Sequence, residues 1–332
     1  MDPASGDVPP VVFPVADGIT AIDTFMGGRS RYTAAYLLEA TEMALVETGP
    51  GTSVEPVAAA LRKLGVARDE LAHIVLTHIH LDHAGGVGQL AERFPRATVW
   101  VHHRGAPHLV DPTRLVASTA RVWGETEMRE LFGPTEPVAT GRVRPLEDTD
   151  RIVLGDRELL VLETSGHASH HVALVDSHTG AIFTGDALGI HVPDLPVLRP
   201  ATPPPEFDLD RYVDSIERIR LAAGSVLLFA HFGPLEEVDA TCDLAIRRVR
   251  DWAGVVEEGV RGGNDPDELV ARLESAALAD VETGAEATLD LEMLEDRLRL
   301  LSSIRMNAQG LARYWERRHA RSASGSDPAG AS

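Results

Sequence analysis

Apolar residues in this chain come first in short runs with turn residues between them, and later in helically spaced stripes. Residues 19–25, 32–38 and 43–47 read as successive strands. Met26-Gly27-Gly28 and the polar residues 39–42 separate them, which favours an antiparallel meander. Thr48-Gly49-Pro50-Gly51 breaks the third strand, and Ser53 is placed to cap a helix over 54–64. Ile74-Val75-Leu76 reads as a buried strand, 87–94 as a helix ending before Pro95, and 98–102 as a further strand. Strands alternating with helices predict a layered α/β fold.

The pattern changes over 104–145, which holds several prolines, one predicted helix at 118–132 and no clear strand before Val143. An insertion of this length between strands is more often a lid, pocket wall or partner surface than part of a sheet. Strands resume at 151–154 and 158–163 around a Gly155-Asp156 turn, and again at 172–175 and 181–183. Pro193, Pro196, Pro200, Pro203, Pro204 and Pro205 make 187–207 read as a surface loop without regular pairing, a second pocket wall. A helix over 209–221 and a buried strand over 225–230 follow.

From Leu235 onward the spacing is helical. Asp265 as cap, Pro266 in the first turn and Glu268 closing a box mark one helix start. Leu291, Leu294, Leu298 and Leu301 form an apolar stripe. It is expected to pack on the main domain or on a second subunit, so the C-terminal helices are a candidate homodimer surface. The organisation read is a flexible N-terminus at 1–14, a main domain at 15–235, a helical region at 236–320 and a disordered tail at 321–332.

A length of 332 residues suffices for one large domain with a smaller addition. The formal net charge of −20 argues against a grip on nucleic-acid phosphates. The single cysteine, Cys242, excludes an intramolecular disulfide, and in a helical stretch it reads as a packed side chain, not a nucleophile. The N-terminus lacks the basic start and apolar run of a signal peptide. No apolar run approaches the roughly 20 residues of a membrane helix. The expectation is a cytoplasmic protein acting on a small molecule, without nucleic acid or membrane as partner.

Candidate chemistry concentrates after the strand at 74–76. His78, His80, Asp82 and His83 fall within six consecutive positions, just before Gly85-Gly86. Extended backbone would put His78 and His80 on one side, with Asp82 and His83 at the turn. Imidazole and carboxylate donors suit zinc, iron or manganese better than calcium. Three later residues, His167, Asp186 and His231, each follow a strand or sit in a glycine turn. Seven donors at one sheet edge exceed the needs of one tetrahedral ion, and two ions bridged by one carboxylate would use them. His102, His103 and His108 lack ligand-like spacing to a second donor, and His178 reads as an exposed turn residue.

At these residues the chain resembles the metallo-β-lactamase fold superfamily. That family's His-x-His-x-Asp-His signature stands here as His78-Ile79-His80-Leu81-Asp82-His83. Its remaining motifs follow in order as Gly166-His167, Thr184-Gly185-Asp186 and Ala230-His231. The resemblance, over residues 15–235, implies a four-layer αβ/βα sandwich with metals at one edge. It implies His78, His80 and His167 on the first metal, Asp82, His83 and His231 on the second, and Asp186 bridging. Two divalent ions, Zn2+ foremost with Fe or Mn as alternatives, are the implied cofactors. His171 matches a family histidine that is not usually a ligand. Where the family often has Asp-Thr-Gly, this chain has Glu47-Thr48-Gly49.

Two cations sharing a water lower its pKa toward neutrality and polarise a substrate oxygen. Asp82 can orient the nucleophile and relay a proton to the leaving group. The resulting expectation is a metal-dependent hydrolase of a small ester, thioester or lactone. It is similar to glyoxalase II, whose glutathione-binding residues are not matched here, and most of all to the bacterial and archaeal hydrolases of this fold that carry a helical C-terminal addition. Two rivals are an iron-dependent sulfur dioxygenase-like oxidoreductase and a phosphodiesterase of the same fold.

Overall fold

The computed structural model describes residues 9–192, 197–282 and 298–323. The chain divides into two compact units, one of residues up to 161 with Leu174–Phe183, the other of Leu162–Ala173 with the chain from Thr184 onward.

In the first unit, β1 (Val12–Ala16), β2 (Ile19–Asp23), β3 (Ala34–Leu38) and β4 (Met43–Val46) form the predicted antiparallel meander, preceded by a strand. The first strand begins at Val12, inside the stretch expected to be flexible. Then β5 (Leu71–Val75), β6 (Thr98–His102) and β7 (Val143–Leu146) add in parallel, giving a seven-stranded sheet in sequence order. Parallel neighbours need crossovers: α1 (Val54–Lys63) joins β4 to β5, α2 (Leu81–Ala84) and α3 (Val87–Arg93) join β5 to β6, and residues 103–142 join β6 to β7. Helix α1 buries Val54, Val57, Ala58 and Leu61, the spacing of one helical face, in a core with Leu45, Ile74, Leu90 and Val99. At about 25 cal/mol per Å² of apolar surface removed from water, such a face is the main reason the helix holds its place. Arg142 anchors the sheet's far side, its guanidinium donating to the carbonyls of Ala91, Phe94 and Ala97.

The insertion folds as α4 (Ala106–Val110), α5 (Thr113–Glu127) and a π-helical turn at Met128–Phe132. The predicted helix therefore starts five residues earlier, and Gly124, at φ 82°, interrupts it. Ser53 does not cap α1: no side-chain cap bond forms there, because a 3-10 turn, Gly51–Ser53, leads straight into the helix.

Further along lie β8 (Arg151–Val153), β9 (Glu158–Glu163), β10 (Val172–Asp176) and β11 (Ala181–Gly185). With β14 (Val226–Phe229) and β15 (Gly233–Leu235) they make a six-stranded sheet of order β15-β14-β11-β10-β9-β8. Arg157, in the first unit, forks onto Asp176 with bonds of 2.8 and 2.7 Å and also donates to the Glu39 carbonyl at 3.0 Å.

In the second unit, α6 (Leu209–Leu221) is capped by the Asp208 carboxylate, which accepts from Arg211 N–H. Helices α7 (Val238–Arg261), α8 (Pro266–Glu282) and α9 (Ile304–Ala323) form the C-terminal region. The box at α8 is as the sequence predicts: Asp265 Oδ1 accepts from Glu268 N–H at 2.9 Å and Glu268 Oε2 from Asp265 N–H at 2.9 Å.

The expected unpaired surface loop at 187–207 is corrected. Within it β12 (Ile190–Val192) pairs antiparallel with β13 (Val197–Arg199), and Ile190, Val192, Val197, Leu198 and Phe207 are buried. The prolines flank these six residues instead of falling among them, so none removes a ladder donor. Leu298 and Leu301 pack against Ile190, Val192, Val197 and Ala201. Leu291 and Leu294, the other half of the predicted stripe, lie outside the described residues, as do 1–8 and 324–332 of the expected flexible ends. Helix α9 runs to Ala323, past the expected start of the tail.

Candidate metal centre

The first unit holds four of the seven predicted donors. Strand β5 ends at Val75, and Leu76 still bonds backbone to backbone with Trp100 before the chain leaves the sheet. His80 is extended, at φ −58° and ψ 148°, and Asp82 and His83 ride on α2 immediately after it. The Thr48-Gly49 turn fixes that helix from below: Thr48 N–H and hydroxyl both donate to the His83 carbonyl, and Gly86 N–H donates to Gly49.

The expected placement of His78 and His80 on one side is observed, with His78 Nε2 and His80 Nδ1 3.1 Å apart. Two ligands of a tetrahedral zinc ion would lie about 3.3 Å apart. The protonation of His78 follows from its neighbours. The Thr77 hydroxyl has one proton and gives it to Glu47 Oε1. It must therefore accept from His78 Nδ1, 3.0 Å away, which leaves the Nε2 lone pair facing His80. Glu47 is buried, sits at φ 65° and places Oε1 3.6 Å from His83 Nδ1. Holding a non-glycine residue there costs free energy, and such strain is typical of functional sites. The Glu47 carboxylate and the imidazoles of His78 and His83 form one compact group of metal-suited donors.

The second unit holds the other three. Asp186 follows β11 and has an imidazole near each oxygen: His167 Nε2 at 3.5 Å from Oδ2 and His231 Nε2 at 3.6 Å from Oδ1. These separations exceed hydrogen-bond length but suit donors that share a cation. All three side chains are buried. His167 donates from Nδ1 to the Ala201 carbonyl at 2.9 Å, and since a carbonyl only accepts, Nε2 keeps its lone pair. Gly166, at φ 132°, lets the turn reach His167, because a Cβ there would overlap the backbone of Tyr212.

Asp186 is braced from two further sides that the sequence does not advertise. Its N–H donates to His171 Nε2 at 3.0 Å, and the Tyr212 hydroxyl donates to its carbonyl at 3.2 Å. Burial drives the Tyr212 phenol pKa far up, so it remains a donor. His171 in turn has Nδ1 2.8 Å from the Thr164 hydroxyl, so both its nitrogens are engaged and it is no ligand. His191 donates from Nδ1 to the Phe232 carbonyl at 2.9 Å. Only the spacing of Gly166-His167 to His171 hints at any of this in the sequence.

The remaining histidines take ordinary roles. His102 Nδ1 accepts from Arg104 N–H, His103 pairs with Glu147 at 3.1 Å, and exposed His178 pairs with Asp17 at 2.9 Å. None of these, nor His108, belongs to a metal-suited group among the described residues. The donors of each unit converge on one another, at 3.1 Å for His78 and His80 and at 3.5 and 3.6 Å around Asp186, an arrangement that fits divalent cations.

A family profile described as metallo-beta-lactamase superfamily matches residues 28–231, more than half of the chain. The metallo-beta-lactamase fold-containing protein ST1585 of Sulfurisphaera tokodaii is 31% identical over 170 residues, 50% of this chain and 62% of that protein. A hydroxyacylglutathione hydrolase of Vibrio cholerae is 31% identical over 147 residues, 44% of this chain and 42% of that protein. The matched part thus spans less than two thirds of either relative. The crystal structure of ST1585 matches with a TM-score of 0.65 at 22% identity, covering 89% of this chain and 98% of that one. That of the metallo-beta-lactamase family protein TTHA1429 from Thermus thermophilus gives 0.61 at 21% identity, covering 94% and 93%. This likeness establishes the fold: two large sheets flanked by helices, with helices added at the C-terminus.

Proposed function

The chain belongs to the metallo-beta-lactamase superfamily, and on that premise we propose that it is a dinuclear metal-dependent hydrolase of a small ester, thioester or lactone. The observation that carries the reading is the convergence of His78 Nε2 and His80 Nδ1 at 3.1 Å, with His78 held to one tautomer by Thr77 and Glu47. His78, His80 and His167 would hold one ion, Asp82, His83 and His231 the other, with Asp186 shared. When bound, two divalent cations, zinc foremost, supply Lewis-acid activation of water and of the substrate's carbonyl oxygen.

The chain's own residues do the rest. Thr77 and the Ala201 carbonyl hold protons on the outer nitrogens of His78 and His167, keeping the inner ones as donors. His171 and Tyr212 fix the backbone of Asp186, so its two oxygens stay divided between two histidines. Asp82 is the most accessible carboxylate of the set, its side chain 25% exposed, and is the group that passes a proton to the leaving atom. A cysteine nucleophile is not on offer: Cys242 is fully buried and burial pushes its thiol up to about 11. Thioesters are favoured within the substrate class by the similarity to hydroxyacylglutathione hydrolase.

A panel of small thioesters, lactones, esters and phosphodiesters, run with zinc-, manganese- and iron-loaded protein, tests this reading. Chelator-sensitive cleavage of a thioester, ester or lactone is expected. Oxygen consumption with a persulfide and no ester cleavage would overturn it in favour of a sulfur dioxygenase, and phosphodiester cleavage alone would move it to a phosphodiesterase.

A further inference from the structure

We propose that Asn307, on the C-terminal helix α9, is a positioning residue for His167, acting through the Ala201–Thr202 peptide group. This rests on the assignment of His167 to a metal. One peptide bond links the two side chains. At its carbonyl end Ala201 accepts from His167 Nδ1 at 2.9 Å, and at its amide end Thr202 N–H donates to Asn307 Oδ1 at 2.7 Å. The Thr202 hydroxyl adds a second bond to Oδ1 at 2.8 Å.

The orientation of the Asn307 amide is not arbitrary. Its Nδ2 donates to the Ser303 carbonyl at 3.1 Å and to the Ser302 hydroxyl at 3.3 Å. A flipped amide would point its NH2 at the Thr202 N–H, donor against donor. Asn307, Thr202, Ser302 and His167 are all buried, so the chain of bonds lies away from water. Hydrogen bonds in series polarise one another, by about 10–30% per bond. A peptide whose N–H is bonded to Asn307 is therefore a better acceptor at its carbonyl. It holds the Nδ1 proton of His167 more firmly and makes Nε2 the more basic donor.

Three positions along the same helix, Gly310 lets this contact form: a Cβ there would overlap the Thr202 carbonyl oxygen. The sequence thus places a small residue and a side-chain amide on one helix face, where together they clamp the peptide that orients a candidate ligand. By this account the C-terminal helix tunes the site.

The experiment uses the full chain with 15N-labelled histidine. It reads the Nδ1–H resonance of His167 in metal-free protein and zinc affinity by competition with a chelator. In Asn307→Ala the resonance is expected to shift toward that of a weaker hydrogen bond, with zinc binding about tenfold weaker. Trp315→Phe serves as control: it removes the 2.8 Å bond from α9 to the Ala253 carbonyl without touching Thr202, and both readouts should stay at wild-type values. Should Asn307→Ala not fold, Asn307→Ser, too short to reach Thr202, takes its place. A folded Asn307 variant with unchanged resonance and affinity would overturn the proposal, as would equal losses in Trp315→Phe. Wild-type protein that binds no zinc would instead defeat the metal assignment, while the resonance still reports on the bond chain.

Discussion

His171 accepts the backbone N–H of Asp186 through Nε2 at 3.0 Å, so a histidine that binds no metal fixes the carboxylate assigned to two. Its other nitrogen is held by Thr164 at 2.8 Å. His171→Phe keeps the ring volume but leaves the Asp186 N–H without its acceptor. We expect a loss of about 1–3 kcal/mol in denaturant unfolding, together with weaker zinc binding. An equally stable variant of unchanged affinity would show that Asp186 needs no such brace.

Thr77 is the hinge of the other half. Its hydroxyl gives a proton to Glu47 and takes one from His78. Thr77→Val removes both bonds at nearly constant shape and frees His78 to change tautomer. Zinc affinity is expected to fall about 10- to 100-fold with far-ultraviolet circular dichroism unchanged. Glu47→Gln should fall less, since an amide oxygen can still accept from Thr77.

The buried pair of Arg157 and Asp176 sets an acid limit on stability. Burial alone would raise the Asp176 pKa, but the Arg157 and Thr179 hydrogen bonds outweigh it and hold the carboxyl below its ordinary range. A carboxyl depressed on folding contributes stability present above its unfolded pKa, about 3.9, and lost as pH falls through the folded value. Asp176→Asn should therefore unfold with a flatter pH dependence below about pH 4. At neutral pH it should be destabilised by about 3–5 kcal/mol, because Arg157 is left buried without its partner. Urea titrations at several pH values read both effects.

His178 is the negative control. It is exposed and pairs with Asp17 on the surface, so His178→Ala should leave metal content and stability within experimental error. Loss of metal in that variant would show that the assigned donor set is incomplete.

Much of this architecture is legible in the sequence, for identifiable reasons. The meander, the alternation of strands and helices after it and the capping box at α8 follow from apolar period and turn residues, and the donors stand out because their types and spacings are rare. What escapes is what depends on contacts remote in sequence. The β12–β13 pair is hidden by the prolines around it, although Ile190, Val192 and Val197 carry strand character. The capping role expected of Ser53 fails because a 3-10 turn precedes the helix. The bond from Asn307 to Thr202 spans 105 positions, and no local pattern announces it.

The central claim is that Asp186 serves two metal ions at once, and metal stoichiometry tests it most directly. Wild-type protein and Asp186→Ala are loaded with zinc, washed free of loosely held ions and measured by elemental analysis. The account predicts about two tightly bound ions per wild-type chain and loss of both sites in Asp186→Ala. Two retained ions in the variant, or a single ion in the wild type, would contradict it.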